Sequence, residues 1–496
     1  MTPSANEERR NRVDVAVIGC GPTGLTLARL LEQENLTVAV IDRSWLPMER
    51  SRATHLDDET MRTFHQVGAG HLEPTFSPVG TYRHYDADRR IIMEMELNRG
   101  LTDQGWQSDY MFHQPDFETV LRGRAYSAAT TSTFFGWEVT SMREAEEGVV
   151  VDLHEVATHT TQQVTASFVV GCDGAHSYVR AFMGCGQIDY DATHRSLIID
   201  ILPFVPNEAL ATRDMFIQGS IRNPLTFVPI QEPRLRFELM LRPDDVAADF
   251  ARVEQVYERL GPWFQPGDYR ILRCDVYEWR SVTATPWRAG RVLLAGDAAH
   301  TMPPHLGQGM CSGIRDAANL AWKLGRVVRE ESPFELLDSY EAERAPHVAA
   351  YTTISAQMAN AIETMRASDG EVPVVKAEPL RPQIGPGIWD GSSAVGGRLS
   401  AQPRVDSETL LDDVVGYRFA LVGDPAVVAQ TTPQTKKLWE GLNVKIVDGF
   451  SEEIRGWVEG LDAAAAVIRP DRYLYGTART AAELDALAGS LEAALR

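Results

Sequence analysis

Residues 13–24 read VDVAVIGCGPTG, a short apolar run that stops abruptly at glycines. Such a run is typical of a buried parallel strand that ends in a tight turn. Gly19, Gly21 and Gly24 form a G-x-G-x-x-G pattern. Its first glycine permits the turn, its second lets the backbone approach a pyrophosphate, and its third lets a helix pack closely on the strand. The stretch therefore predicts the start of a dinucleotide-binding unit.

The residues that follow complete this unit. Residues 25–34 predict a helix, and residues 37–41 predict a second strand. Asp42 ends that strand at the spacing of a carboxylate that accepts hydrogen bonds from an adenosine ribose. The pyrophosphate would lie on the unpaired N–H groups at the positive end of the helix. The alternative interpretation is a glycine turn without a ligand.

A second motif lies beyond the middle of the chain. Residues 292–294 predict a short buried strand, which is followed by Gly296 and Asp297. An aspartate in this place is suited to hydrogen-bond the ribityl hydroxyls of a flavin. Gly307 and Gly309 then precede a long helix, whose first N–H groups would stabilise an anionic reduced flavin. The alternative is that Asp297 only caps a helix.

A third motif, CDGAHSYVR, spans residues 172–180 and follows a predicted strand. Ser177 or His176 is suited to cap the next helix. By itself the Asp-Gly pair predicts only a turn. Between the motifs, the sequence is rich in strand patterns, which indicates a nucleotide-binding domain built from separate segments with another domain inserted.

With these three motifs the chain resembles the group A flavoprotein monooxygenases, the family of p-hydroxybenzoate hydroxylase and phenol hydroxylase, over residues 12–365. Residues 52–62, 113–118 and 309–324 look most similar to 3-(3-hydroxyphenyl)propionate hydroxylases. The C-terminal part looks like the thioredoxin-like domain of the phenol hydroxylase branch. It contains none of the five cysteines, which excludes a redox role for it.

The resemblance implies an α/β fold with a Rossmann-like FAD-binding domain, an inserted β-rich substrate domain and a C-terminal thioredoxin-like domain. The implied boundaries are residues 1–78, 115–186 and 286–365 for the FAD-binding domain, 79–114 and 187–285 for the substrate-binding β-sheet domain, 366–403 for a linker, and 404–496 for the thioredoxin-like domain.

The resemblance also implies which residues bind noncovalent FAD. Those for the adenosine and pyrophosphate are Gly19, Gly21, Pro22, Thr23, Gly24, Asp42, Arg43 and Arg52. Those for the ribityl chain, the ring and a motif shared with NAD(P)H are Gln114, Asp173, Arg180, Gly296, Asp297, Pro304, Gly307, Gly309, Met310 and Cys311. Three positions depart from the family pattern: His305 and Leu306 stand where small residues are usual, and Cys311 stands where Asn is usual.

The implied reaction is hydroxylation of a phenolic ring with NAD(P)H and O2 through a C4a-hydroperoxyflavin. The candidates for substrate contact or phenol activation are His55, Asp57, Tyr82, His113 and Pro304, and those for binding a substrate carboxylate are Arg83, Arg222 and Arg236. Each of them also fits an ordinary structural role. Three alternatives stay open: hydroxylation of a larger polyketide or heteroaromatic intermediate, a non-oxygenating flavin reductase, and a non-enzymatic FAD-loaded protein.

Composition restricts the partners and the location. The formal net charge is -21, and an acidic surface disfavours nucleic acid and anionic membranes. The five scattered cysteines form no C-x-x-C pair, which predicts neither a disulfide framework nor a metal site. The first residues lack the apolar stretch of a signal peptide. We therefore expect a cytoplasmic enzyme, monomeric or homodimeric, whose partners are a small aromatic substrate, O2 and NAD(P)H.

Overall fold

The computed structural model describes residues 12–85, 90–96, 100–218, 225–242, 244–368, 380–447 and 449–496. Within these residues the strands form two sheets of eight strands, one of four and one of three. In chain order the strands are β1 Arg12–Ile18, β2 Val38–Asp42, β3 His55–Asp57, β4 Ser77–Pro78, β5 Thr81–Tyr85, β6 Ile91–Glu96, β7 Asp109–Met111, β8 Thr131–Phe135, β9 Trp137–Ala145, β10 Gly148–Glu155, β11 Thr161–Gly171, β12 Gly186–Pro203, β13 Met215–Gln218, β14 Leu225–Val228, β15 Leu235–Leu241, β16 Tyr269–Thr285, β17 Arg288–Ala289, β18 Val292–Leu294, β19 His300–Thr301, β20 Ala420–Gly423, β21 Lys445–Ile446, β22 Ala465–Ile468 and β23 Leu474–Ala478.

The helices of the same residues connect and cover these sheets. In chain order they are α1 Pro22–Gln33, α2 Asp58–Gln66, α3 Gln114–Ser127, α4 Tyr178–Met183, α5 Ala247–Phe250, α6 Val253–Leu260, α7 Gln308–Val328, α8 Asp338–Ser368, α9 Leu411–Val415, α10 Pro425–Ala429, α11 Pro433–Gly441, α12 Glu452–Gly460 and α13 Ala481–Leu495. Short 3-10 turns lie at Gly70–Thr75, Gly296–Ala298, Pro304–Leu306 and Phe334–Leu337.

The first eight-stranded sheet has a parallel centre in the order β18-β11-β1-β2-β8. Its register places Ile18 beside both Ile41 and Gly171, and Gly171 beside Leu294. Because the carboxyl ends of parallel strands meet at one edge of a sheet, the three motifs that follow these strands lie next to one another. The strands β10 and β9 extend this sheet along β11 in antiparallel fashion.

The central strand β1 is buried on both faces, and Val15, Ala16 and Val17 are fully inaccessible. This burial explains its continuous apolar sequence, because helices cover both faces of a parallel sheet. The helix α1 begins at Pro22, three residues before the predicted start. Proline is favourable at the first helical position because the N–H group that it lacks would have no partner there.

The second eight-stranded sheet has the order β19-β16-β12-β15-β14-β13-β5-β6 and is antiparallel except between β13 and β5. One of its faces packs on the helix α6 through Val256 and Leu260. In β15, Phe237, Leu239 and Leu241 join this apolar core, whereas the residues between them point to the opposite face. That opposite face forms a wall of the cavity described below.

A small sheet joins the two large ones. Its order is β3-β7-β4, with all pairs antiparallel. The strands β3 and β4 come from the segment expected in the FAD-binding domain, and β7 comes from the segment expected in the substrate domain. The proposed boundary at residues 78 and 79 therefore passes through a hydrogen-bonded sheet.

The C-terminal unit contains the four-stranded sheet in the order β21-β20-β22-β23. The pair β20-β21 is parallel, and the pairs β20-β22 and β22-β23 are antiparallel. The closing helix α13 buries Leu484, Leu487 and Leu491. This arrangement of a parallel pair extended by an antiparallel hairpin is that of a thioredoxin-like core.

Buried ion pairs connect this unit to the rest of the chain. Arg469 donates to Glu343 of α8, with 2.7 Å between Nη2 and Oε2, and Lys323 of α7 binds the same Glu343 oxygen at 2.7 Å. Arg62 of α2 binds Asp412 with 2.7 Å between Nε and Oδ2. All these side chains are almost fully buried. Buried ion pairs with α2 and α8 therefore hold this unit against the rest of the chain, so it is not merely tethered.

None of the described helices combines the length and the apolar character needed to cross a membrane.

Candidate active site

A cavity of about 1030 Å³ runs along the edge where the three motifs meet and continues onto the inner face of the second sheet. Its nucleotide end is lined by Gly19, Gly21, Pro22, Thr23, Asp42, Arg43, Arg52, Gln114, Asp173 and Asp297. Its sheet end is lined by Tyr82, Ile198, Thr226, Glu238, Met240 and Trp279, and the segment from Pro303 to Met310 lies between the two ends.

The glycines of the first motif have distinct roles. Gly19 has φ +100°, and a Cβ there would overlap the Cys172 carbonyl. A Cβ at Gly24 would overlap the Gly19 carbonyl, so both glycines serve close packing. A Cβ at Gly21 would meet no protein atom within 4 Å, although this residue lines the cavity. The start of α1 has no side-chain cap, so its N–H groups are left for an anionic ligand.

Asp42 is held in place at the end of β2. Its Oδ2 accepts a hydrogen bond from the Cys20 N–H at 2.7 Å, and its Oδ1 accepts one from the Ser44 N–H at 2.8 Å. Arg122 approaches Oδ2 at 3.4 Å. The carboxylate thus closes the glycine turn while it lines the cavity, as the ribose-binding interpretation requires.

Gln114 organises the loop that carries Arg52. Its carbonyl oxygen accepts hydrogen bonds from the N–H groups of Arg52 and Ala53 at 3.0 and 2.9 Å. Its amide group donates to Glu118 at 2.6 Å. Gln114 lines the cavity but uses its polar atoms within the protein, which makes it a residue that positions this loop.

The third motif supports the second motif. The Asp173 carboxylate accepts hydrogen bonds from the Ser177 hydroxyl at 2.5 Å and the Val179 N–H at 3.1 Å. Ser177, rather than His176, caps α4. Arg180 donates to the Ala298 carbonyl at 2.8 Å and does not line the cavity. Its role in this structure is to hold the turn that follows β18.

The Asp297 carboxylate lines the cavity and has no hydrogen-bond partner among the described residues. Burial raises the pKa of this carboxyl above its ordinary value, against the lowering effects of His300, Arg52 and Arg180. A desolvated acceptor without a protein partner is costly unless a ligand donates to it. Asp297 therefore fits a hydroxyl-bearing ligand, whereas the neighbouring Gly296 is packed against Thr23.

The turn around Asp297 rests on a buried cluster that sequence reasoning missed. Asp316 accepts from the Gly296 N–H at 3.0 Å and from Arg344 at 2.9 Å, and it lies 2.6 Å from His300 Nε2. Asp316 lies within the sequence stretch that carries the family resemblance, but only the structure shows that it supports the Asp297 turn.

The segment before α7 leads into a second helix start that has no side-chain cap. Gly307 has φ +64° and is the N-cap of α7 without any side-chain cap. A Cβ at Gly307 would overlap the His55 ring. Gly309 and Met310 of the first turn line the cavity, whereas the Cys311 side chain is fully buried.

His55 also lines the cavity, and its ring lies against Gly307. Its Nε2 is 2.8 Å from Asp109 Oδ1, and its Nδ1 is 3.4 Å from the Gly307 carbonyl. Burial lowers the pKa of His55, but hydrogen bonds with Asp109 and Cys311 raise it by more, and the net result lies well above the ordinary value. The geometry makes His55 a positioning residue for Gly307.

The other candidates for catalysis are dispersed. Asp57 lines the cavity, but its carboxylate is held by the Thr60 N–H at 2.9 Å, by Gln308 at 3.1 Å and by Arg315. His113 does not line the cavity, because it is the N-cap of α3 and its Nδ1 lies 3.0 Å from Asp116. Tyr82 and Pro304 both line the cavity.

Two of the three arginines expected to bind a carboxylate lie in the described residues, and both have protein partners. Arg236 binds Asp200 in bidentate fashion at 2.6 and 2.9 Å and also donates to the Ser51 carbonyl. Arg83 lies outside the cavity lining and binds Glu94 and Asp214. Arg222 lies outside the described residues.

The sequence of this chain matches two known protein-family models. Residues 12–355 match the family model described as the FAD binding domain, which is more than half of the chain. The chain belongs to this FAD-binding family. Residues 397–494 match a second model, described as the HcaD C-terminal domain.

Curated relatives of this FAD-binding chain are named as hydroxylases. A Rhodococcus jostii protein named "Probable NADH-specific resorcinol 4-hydroxylase" is 33% identical, with 98% of this chain and 96% of the relative covered. A "3-(3-hydroxy-phenyl)propionate/3-hydroxycinnamic acid hydroxylase" of Mycolicibacterium gilvum is 31% identical, with 93% and 88% covered.

Solved structures share the fold. The rebeccamycin biosynthetic enzyme RebC in its substrate-free form matches with a TM-score of 0.78 at 20% identity, covering 97% of this chain and 99% of that chain. Aklavinone-11 hydroxylase in complex with FAD and aklavinone matches with a TM-score of 0.78 at 21% identity and the same coverage.

These comparisons confirm the predicted family, the fold class with its Rossmann-like, β-rich and thioredoxin-like parts, and FAD as the cofactor. They also confirm the predicted enzyme class, an FAD-dependent aromatic monooxygenase. The residues present fit FAD. The open space at Gly21 and the two helix starts without side-chain caps suit phosphate and other electron-rich groups. Asp297, which has no partner among the described residues, suits the ribityl hydroxyls.

His305 stands where the family usually has a small residue, and in this structure its ring has a specific packing partner. The His305 ring packs edge-on against Trp279 of β16, with 5.5 Å between ring centroids. Burial, with a contribution from His194, lowers the pKa of His305 to about 4. A neutral His305 therefore connects the segment before α7 with the wall of the second sheet.

Proposed function

We propose that this FAD-dependent monooxygenase hydroxylates a small phenolic ring with NADH and O2. The observation that carries the proposal is the continuity of one cavity from the unpartnered Asp297 to the inner face of the second sheet. A flavin held at Asp297 and a ring held against that sheet would share this cavity. The curated relatives support a phenolic substrate, since their names specify resorcinol and hydroxyphenyl acids.

We further propose which residues hold FAD. The turn at Gly21 and the start of α1 would bind the pyrophosphate, Asp42 the adenosine ribose, and Asp297 the ribityl hydroxyls. The N–H groups of Gly309 and Met310 would contact the ring at its electron-rich edge. When bound, FAD accepts reducing equivalents from NADH and, with O2, supplies one oxygen atom to the substrate.

The rest of the site would orient the substrate and exclude water. The sheet wall presents Met215, Ile217, Val228 and Met240 to the cavity. An apolar wall favours a ring and disfavours bulk water, which protects a reactive oxygenating species from unproductive decay. Among the polar residues of this wall, Tyr82 and Glu238 are the ones that we expect to interact with substrate hydroxyls.

The division into domains, the cytoplasmic location and the monomeric or homodimeric state belong to the same proposal. A cytoplasmic location suits an enzyme that consumes NADH, and the five cysteines are free in the structure. Size-exclusion chromatography with light scattering would measure the oligomeric state of the holoenzyme.

The test is turnover of purified holoenzyme with a panel of phenols. We expect NADH oxidation to rise when resorcinol or a substituted phenol is added, and mass spectrometry to find a product with one added oxygen atom. Stimulated NADH oxidation that yields only hydrogen peroxide with every phenol would reject the hydroxylation. Product formation only from a large polycyclic substrate would favour the natural-product alternative instead.

A further inference from the structure

The inner face of the second sheet carries a carboxylate that has no hydrogen-bond partner among the described residues. Glu238 lies in β15 between Phe237 and Leu239, which are buried in the apolar core. The alternation of side chains along a strand therefore directs Glu238 to the opposite face, into the cavity. Register places it beside Ile198 of β12 and Thr226 of β14, which also line the cavity.

The immediate surroundings of Glu238 leave its oxygens available. Among the described residues, Glu238 forms an ion pair with Arg236 on the same strand, with 3.8 Å between Nη1 and Oε1, which is too long for a hydrogen bond. No described residue donates a hydrogen bond to the Glu238 carboxylate, and its side chain is 24% exposed, to the cavity. An ionised carboxylate with this exposure needs donors from a ligand or from water.

The charged groups around Glu238 already serve other partners. Arg236 is neutralised by Asp200 of β12. Arg273 of β16 donates to the Ser51 carbonyl at 3.1 Å and lies 3.3 Å from Asp275. Arg236 is therefore not available to a substrate carboxylate, and Arg273 already uses Nε and Nη1 within the protein. An anionic substrate group placed beside Glu238 would be repelled by it.

Tyr82 of β5 lines the same cavity and is influenced electrostatically by this carboxylate. Burial raises the pKa of Tyr82 above its ordinary value, and the negative charge of Glu238 raises it further. Burial also raises the pKa of Glu238, as does Asp200, whereas Arg236 and Arg273 lower it. Tyr82 thus stays protonated, and it can donate to or accept from a second polar group of the same ring.

We propose that Glu238 is the acceptor for a phenolic hydroxyl group of the substrate and that it makes the cavity selective for neutral phenols over phenolic acids. This assignment rests on the proposed phenol hydroxylation. It distinguishes between the two kinds of substrate in the names of the curated relatives, and it favours a neutral dihydroxybenzene such as resorcinol. A hydroxyl group gains a charge-assisted hydrogen bond from Glu238, whereas a carboxylate is repelled by it.

The experiment compares ligands of matched size and different charge. Oxidised holoenzyme is titrated with resorcinol, 3-hydroxybenzyl alcohol and 3-hydroxybenzoate, and the dissociation constants are measured from the change in flavin absorbance. The variants are Glu238→Gln, which keeps the shape and removes the charge, and Glu278→Gln. The control Glu278 is an exposed residue of β16 that does not line the cavity.

We expect the wild type to bind the alcohol more tightly than the acid. Glu238→Gln should weaken binding of resorcinol and of the alcohol about tenfold, the scale of a lost hydrogen bond to a charged acceptor. The same variant should bind 3-hydroxybenzoate several-fold more tightly, and Glu278→Gln should match the wild type. An unchanged ratio of alcohol to acid affinity in Glu238→Gln, or wild-type preference for the acid, would overturn the assignment.

Turnover of the same ligands separates this inference from the proposed function. Hydroxylation by the wild type together with an unchanged affinity ratio in Glu238→Gln would overturn the role of Glu238 while the proposed function stands. The expected affinity pattern without any hydroxylated product would uphold Glu238 as the hydroxyl acceptor and reject the proposed reaction.

Discussion

At the scale of single residues, Gly21 and Gly24 are separated by only two positions but have different surroundings. A Cβ at Gly21 would point into open space in the cavity, and one at Gly24 would overlap the Gly19 carbonyl. In this motif, Gly21 leaves room for the ligand, and Gly24 lets the helix pack closely on the strand. Alanine at each position separates these two roles.

Gly21→Ala should leave the stability of the FAD-free protein close to that of the wild type and weaken FAD binding at least tenfold, because the methyl group takes space that the pyrophosphate needs. Gly24→Ala should lower the melting temperature of the FAD-free protein by several degrees, since the backbone must shift. Differential scanning fluorimetry and FAD titration measure both effects. Equal loss of stability in both variants would show that Gly21 is also a packing residue.

Asp297 is a second residue whose role can be measured. Asp297→Ala should purify largely without FAD, because it removes a partly buried acceptor of hydrogen bonds worth about 1.5–3 kcal/mol each when the acceptor is charged. Asp189→Ala is the matched control, since Asp189 forms a surface pair with Arg280 outside the cavity. The ratio of flavin to protein absorbance gives the occupancy. Full occupancy in Asp297→Ala would show that Asp297 does not bind the ribityl chain.

At the scale of elements, the segment before α7 depends on the buried pair of His55 and Asp109. The pKa of folded His55 is raised above the unfolded value. The pair therefore contributes its full stability below the unfolded pKa of about 6.5, and this contribution is lost as the pH rises through the folded pKa. We therefore expect the pair to stabilise the segment that carries Gly309 and Met310 most strongly in mildly acidic solution.

Asp109→Asn should lower the melting temperature more at pH 6 than at pH 9.5, because His55 loses its charged partner only where it is protonated. Asp413→Asn is the control, as its partner His65 is about one-third exposed and such pairs contribute little. Melting curves at both pH values provide the measurement. A larger destabilisation of Asp109→Asn at pH 9.5 would contradict the charged state of His55.

Elements with strong local sequence patterns could be predicted from the sequence. Features that depend on contacts with residues distant in the sequence could not. The glycine turn, Asp42, Asp297 and the start of α7 follow from strand, glycine and helix patterns. The strands β8 and β9 were missed, because neither alternates between buried and exposed residues along its whole length. Glu238 was missed because a lone glutamate in a strand is informative only when the neighbouring strands show which face is buried. The N-cap role of His113 likewise depends on backbone geometry.

At the scale of the whole molecule, the C-terminal unit and the catalytic part share buried charges. Glu343 receives Arg469 of the C-terminal unit and Lys323 of α7, and Asp412 neutralises Arg62. Removing one partner of a buried ion pair typically costs about 3–5 kcal/mol because the other charge stays desolvated. The cavity lining extends no further along the chain than Arg381. The unit thus supports the fold without reaching the site.

Truncation after Pro403 should lower stability or solubility strongly, because it leaves Arg62 and Glu343 without Asp412 and Arg469. The soluble remainder should still bind FAD. Thermal unfolding and flavin absorbance of the truncated and full-length proteins provide the comparison. A remainder that stays folded by circular dichroism but has lost its flavin would show that the C-terminal unit contributes to the cofactor site.

The proposed reaction needs the flavin at Asp297, the substrate ring on the second sheet and one cavity that holds both. Turnover of resorcinol with NADH under isotope-labelled O2 measures it. We predict one labelled oxygen atom in each product molecule and one NADH consumed for each product formed. Consumption of NADH with no labelled ring product, from resorcinol or any other phenol, would contradict the assignment of this protein as a phenol monooxygenase.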